Sequence, residues 1–208
     1  MKKHQLLSPA LVETIGRTVR TLRAQKIDFA VIGAVALGAR GHRRFTEDVD
    51  LLVDPAERPR ALEALRRVGI SRGGGFYDEY LTQLQDKKTG AGVDLLFAVG
   101  DPEESARAGA TSISVEGVKA PTAQAEYLVW LYLLSDRAQH AADAIELIAK
   151  KKVSIPRLYK LLRWAGVERE LHPRLQEFVL RAKAQRGGKK KWIAGRMRRR
   201  SIDKAVPR

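Results

Sequence analysis

The sequence predicts an α/β (α+β) fold, a mixed sheet flanked by helices, followed by a helical C-terminal part and a basic tail. Three observations carry that expectation. Apolar runs at Phe29–Gly33, Val49–Val53 and Val93–Phe97 have the length of buried strands. Longer stretches after Ser8 and after Pro121 repeat their apolar residues at helical spacing. Residues 181 to 208 carry twelve Lys or Arg against one acid, Asp203, which accounts for most of the chain's net charge of +15.

A chain of 208 residues buries one good core and leaves room for a helical appendage. The expected division is a core over 1–120, a helical subdomain over 121–184 and a flexible basic arm over 185–208. No stretch approaches the roughly 20 apolar residues of a membrane span, and the start lacks the apolar run of a signal peptide. A cytoplasmic protein is expected. The absence of cysteine excludes disulfides, thiolate metal sites and a Cys nucleophile.

Ser8 and Pro9 form a helix start, and Leu11, Val12, Ile15, Val19 and Leu22 follow on one face. Phe29–Gly33 reads as a buried strand running into the small-residue segment Gly33–Ala39, which permits a tight strand-to-helix turn. Val49–Val53 is the second strand, and Asp54 caps the helix that carries Leu62 and Leu65. Gly73–Gly75 reads as a break. Tyr77–Gln85 and Val93–Phe97, separated by Lys87–Gly90, read as a hairpin. Ile113–Lys119 alternates as an edge strand, and Pro121-Thr122 opens one long helix to about Lys150. Further helices are expected at Pro156–Ala165, ended by Gly166, and at about Pro173–Ala184.

The strongest chemical signal is Thr46-Glu-Asp48-Val-Asp50-Leu-Leu-Val53, in which two carboxylates open an otherwise apolar strand. Period two puts Asp48 and Asp50 on one side. Two like charges at a strand mouth are costly unless paired or bound to a divalent cation, and Mg²⁺ or Mn²⁺ meets that demand. Asp94 repeats the pattern on another apolar strand that could lie beside the first. Taken singly, each Asp also fits a turn cap or a hairpin end. Three converging carboxylates supply the parts for in-line attack on phosphorus. Gly33 and Ala34 would offer backbone N–H groups to a triphosphate, or merely pack closely. Arg43 and Arg44 lie just ahead of the carboxylates, and Arg44 is favoured as a phosphate clamp over an exposed loop cation. Asp136, His140 and Asp143 would stack along one face of the long helix.

The run Val31-Ile-Gly33-Ala-Val-Ala-Leu37, then Arg44-Phe-Thr46-Glu-Asp48-Val-Asp50, resembles the signature of AbiEii-type nucleotidyltransferases of the polymerase-β superfamily. The resemblance covers about Asp28 to Lys150. It implies a polymerase-β-type nucleotidyltransferase core, an NTP as substrate, Mg²⁺ or Mn²⁺ as cofactor, and Asp48, Asp50 and Asp94 as catalytic metal ligands. Family members of this type are toxins of toxin–antitoxin pairs that modify tRNA, so an RNA acceptor and an antitoxin partner are implied; wider relatives modify antibiotics or proteins. Ala34 departs from the usual Gly or Ser. In the helix motif Arg137 and Asp143 match and are expected at the nucleotide, whereas Tyr132, Gln139 and His140 replace the expected Lys, Lys and Asp. A degenerate fold serving as a binding module is the alternative those departures leave open.

The arm adds Lys189, Lys190, Lys191, Trp192, Arg198, Arg199 and Arg200, cations around one aromatic ring. That composition suits an electrostatic contact to RNA or DNA phosphates with a stacking platform, which is favoured slightly over a solvated terminus.

Overall fold

The computed structural model describes residues 7–97 and 100–202. The chain divides into two compact units, Met1–Leu131 and Tyr132–Arg208.

The first unit opens with α1 (Pro9–Ala24), capped by Ser8, whose hydroxyl accepts from Leu11 N at 3.1 Å. Leu11, Ile15, Val19 and Leu22 are buried, as the helical spacing requires. There follow β1 (Phe29–Val31), α2 (Gly33–Ala39), β2 (Asp48–Val53), α3 (Arg58–Arg67), β3 (Ile70–Tyr77), β4 (Leu81–Asp86), β5 (Gly92–Phe97), α4 (Asp101–Ala108), β6 (Thr111–Val115) and β7 (Val118–Thr122). α5 (Ala125–Leu133) begins in this unit. Seven strands form one mixed sheet in the order β3-β4-β5-β2-β1-β7-β6. β2 pairs with β5 in parallel and with β1 antiparallel.

Asp54 caps a short 3-10 turn, accepting from Ala56 N at 2.9 Å, and Pro59 sits in the first turn of α3. The hairpin turn after β4 is tied to α1 through Asp86, whose fully buried carboxylate accepts from Thr14 Oγ1 at 3.0 Å, from Lys88 N at 2.9 Å and from Arg17. Burial pushes that carboxyl up, but these donors and the Arg17 charge outweigh it and hold the group below its usual value.

Four local expectations are corrected. Gly73–Gly75 is not a break but lies inside β3, and the Tyr77–Gln85 run is two strands, turned where Asp78 accepts from the amides of Tyr80 and Leu81. Ile113–Lys119 is likewise a hairpin, turned at Glu116-Gly117 with φ of 46° and 90°. The single long helix after Pro121 is instead β7, α5 and α6 (Ala138–Ala149). α4, capped by Gly100 with Pro102 and three acids in its first turn, went unread in the sequence.

The second unit packs α6, α7 (Ile155–Trp164) and α8 (Glu168–Ile202) around Leu147, Ile148, Leu158, Leu162, Leu175 and Phe178. Arg174 on α8 donates to the carbonyls of Leu133 and Ser135, which fastens the α5–α6 bend. The backbone of α8 continues to Ile202, through the segment expected to be a flexible arm. No helix among the described residues is long and apolar enough to cross a membrane.

Candidate active site

The alternation expected of the carboxylate strands holds residue by residue. On β2, Val49 and Leu51 turn into the core, while Asp48 and Asp50 are half-buried on the other face. On β5, Val93 and Leu95 are fully buried and Asp94 faces the same way as the pair on β2. The parallel register sets Asp50 directly opposite Asp94 and Asp48 opposite Gly92. The antiparallel register of β4 then sets Gln83 opposite Asp94. A polar row, Gln83–Asp94–Asp50, thus crosses three adjacent strands.

Each carboxylate has a distinct neighbour. Asp48 Oδ1 accepts from Thr46 Oγ1 at 2.6 Å, a bond that closes the turn entering β2. Asp94 Oδ2 accepts from Gln83 Nε2 at 3.0 Å. Asp50 lies against the β1–α2 turn, where Ile32 N donates to its carbonyl at 2.9 Å. Gly33 follows with φ of +59°, and a Cβ there would stand 1.9 Å from Asp50 Oδ2. Only glycine meets both the left-handed backbone and the close approach. α2 is held at its other end by Arg40, which donates to the carbonyls of Thr122 and Ala123 at 3.0 and 2.8 Å.

An open cleft of about 580 Å³ lies over the Asp48 and Asp94 face. Phe45, Glu47 and Gln83 wall it, and the Gly73–Gly75 segment of β3 forms its far side. Its described lining contains three carboxylates, Glu47, Asp48 and Asp94, and neither Lys nor Arg. Asp50 is set aside from this cleft, toward Gly33. Ala34 and Arg44 line a separate small cavity of about 40 Å³ with Arg43 and Glu116. The Arg44 guanidinium donates to the Phe45 carbonyl at 3.3 Å, and Arg43 stands 3.9 Å from Glu116.

Of the other expected residues, Arg137 and Asp143 lie in the second unit. Arg137 is the N-cap of α6; Asp143 is fully buried and accepts from Gln139 Nε2 at 2.9 Å. Asp136 does not stack with His140 and Asp143, because the bend at residues 134–137 leaves it outside α6, exposed and paired with Arg174. His140 stacks on Tyr132, ring centroids 4.8 Å apart, and meets Ser135 Oγ at 2.7 Å. The side chains of Lys189, Lys190, Lys191, Trp192, Arg198, Arg199 and Arg200 lie outside the described residues. Sequence reasoning missed Gln83 and the glycine segment, since only the strand register brings them to the carboxylates.

Among the described residues no three His, Cys, Asp or Glu side chains close around one point as a ready cage for a metal. The oxygen-only donor set nevertheless fits a hard cation: Mg²⁺ is commonly held by one or two carboxylates and completed by water and substrate phosphates.

No protein-family model matches the chain, and no curated protein matches its sequence. Solved structures do. The antibiotic-resistance factor ANT(2'')-Ia in solution is 15% identical, with 92% of this chain and 97% of that one covered and a TM-score of 0.50. ANT(2'')-Ia in complex with adenylyl-2''-tobramycin gives 14%, 79%, 98% and 0.55. A Thermotoga maritima protein assigned as a nucleotidyltransferase gives 16%, 72%, 99% and 0.51. At these identities the likeness shows the fold: the chain has the nucleotidyltransferase architecture.

Proposed function

We propose that this chain is a metal-dependent nucleotidyltransferase that moves a nucleoside monophosphate from an NTP to an acceptor hydroxyl. The observation that carries the proposal is the register of Asp50 opposite Asp94 on adjacent parallel strands, with Asp48 two residues along the same face. Such a row of carboxylates is poorly placed for stability unless cations neutralise it.

In this reading Asp48, Asp50 and Asp94 would hold Mg²⁺ or Mn²⁺, and Asp94 would also receive the proton of the acceptor hydroxyl. The acceptor oxygen forms a bond to the α-phosphorus while the bond to the leaving pyrophosphate breaks. Bound metal supplies charge neutralisation on the phosphate oxygens. The backbone at Gly33 and Ala34 and the Arg44 guanidinium would meet the phosphates; Arg137 and Asp143 are assigned to the nucleotide by resemblance alone.

The cleft favours a small acceptor that bears both amines and hydroxyls. Asp48 and Asp94 would be engaged by the cations, which leaves Glu47 to receive an ammonium group, a carboxylate that would repel a nucleic-acid backbone. This agrees with ANT(2'')-Ia, an antibiotic-resistance factor seen in complex with adenylyl-2''-tobramycin. A second reading, an RNA acceptor with a toxin-like role and an antitoxin partner, is favoured by the twelve cations of residues 181 to 208.

One experiment tests both. The protein is incubated with Mg²⁺ or Mn²⁺, each labelled NTP in turn, and either total RNA or a panel of polyamine sugars. Label on a sugar supports the first acceptor and label on RNA the second. No label on sugar, RNA or protein, together with no NTP binding, overturns the transferase reading.

A further inference from the structure

Asp94 stands between two unlike neighbours in the polar row: Asp50 on β2 carries the same charge, and Gln83 on β4 is a neutral donor. The Gln83 amide gives its N–H to Asp94 Oδ2 at 3.0 Å. With the amino end so committed, the carbonyl end of the amide points to β3. There a Cβ on Gly75 would stand 2.5 Å from Gln83 Oε1 and 3.1 Å from Gln83 Cβ. Gly75 has no left-handed φ to explain its identity. What the glycine provides at this position is space for the amide.

We propose that Gln83 is a positioning residue for Asp94, and that Gly75 is glycine so that the amide can lie in the donating pose; the inference rests on the transferase reading of the site. A carboxylate that turns freely about its Cβ–Cγ bond presents its oxygens in many directions, and one fixed hydrogen bond selects a single one. A neutral donor suits the task. A Lys or Arg at 83 would also hold the carboxylate, but its charge would oppose cation binding at the same oxygens.

Four variants test this: Gln83→Met, which keeps length and removes the donor, Gln83→Ala, Gly75→Ala and the double Gly75→Ala/Gln83→Ala. The expected result is a fall in kcat of about 10- to 100-fold for Gln83→Met, with KM for NTP changed by about twofold or less and an unaltered melting temperature. Gly75→Ala should lower kcat in the same way, but should cost nothing further in the Gln83→Ala background, because it acts only through the amide. Mn²⁺ affinity, read from the resonance signal of free Mn²⁺, should weaken about 10-fold in Gln83→Met, a measurement that needs no turnover. Unchanged kcat, multiplicative losses in the double variant, or equal Mn²⁺ affinity in wild type and Gln83→Met each overturns the inference. A wild-type protein that transfers no label overturns the transferase reading instead, and the Mn²⁺ comparison still decides the role of Gln83.

Discussion

Gly33 and Asp50 exclude any other residue at position 33: the backbone φ is +59°, and an added Cβ would meet Asp50 Oδ2 at 1.9 Å. The turn that leads into α2 and the carboxylate on β2 are therefore a single fitted unit. Gly33→Ala should cost about 1–3 kcal/mol for the left-handed backbone alone. It should also push the Asp50 carboxylate aside and remove metal-dependent transfer. Urea unfolding and a labelled-NTP assay check it, and a variant with wild-type stability and turnover would remove the fitted-turn account.

Asp48→Ala and Asp50→Ala should each abolish transfer with the fold intact. Removing a like charge from the metal-free row relieves repulsion, so the melting temperature should hold or rise. Full activity in both variants, or unfolding of both, counts against the metal assignment.

Asp94→Asn should separate binding from rate. An amide keeps the shape and can still accept from Gln83, but it cannot take the proton of the acceptor hydroxyl. NTP binding should persist and Mn²⁺ affinity should fall at least as much as in Gln83→Met, while turnover falls much further; equal losses of affinity and turnover would mark Asp94 as a metal ligand alone.

The buried Asp86 carboxylate predicts a pH dependence of stability. Its value is held below that of the unfolded chain, so its contribution is fully present above the unfolded pKa and is lost as pH falls through the folded one. Asp86→Ala, which takes the buried acceptor from Arg17, Thr14 and Lys88 N, should cost about 3–5 kcal/mol near neutral pH. Its stability should also depend less on pH at the acid end, as measured by urea unfolding from pH 7 downward. Parallel acid limbs in the two proteins would refute the linkage.

For the basic arm, deletion of residues 187–208 should flatten the salt dependence of RNA binding, whose slope falls by about 0.7 per single-strand phosphate contact. Trp192→Ala should weaken single-strand binding by about 1–3 kcal/mol and leave the slope nearly unchanged. An RNA affinity and slope unaffected by the deletion would favour the small-molecule acceptor.

The candidate site was legible wherever chemistry and periodicity coincided. Asp48 and Asp50 announce themselves because two charges interrupt an apolar strand at period two, and Asp94 because the interruption recurs. Gln83 gave no such signal, since a glutamine on a half-exposed strand is unremarkable until register sets it beside Asp94. β3 was hidden by Gly73–Gly75, which removes the alternation by which strands are read. The bend between α5 and α6 was hidden for the opposite reason. Residues 134–137 contain neither Gly nor Pro, and the carbonyls exposed there are satisfied from far along the chain by Arg174.

The three glycines of β3 are not equivalent, and the difference bears on which of them tolerates change. A side chain at 75 would strike Gln83, whereas one at 74 would meet nothing within 4 Å, and strand alternation turns it away from the face that carries Gln83. β3 is an edge strand, so a substitution there disturbs one ladder only. Position 74 therefore accepts a side chain while Gln83 and the carboxylates, two and three strands away, keep their geometry.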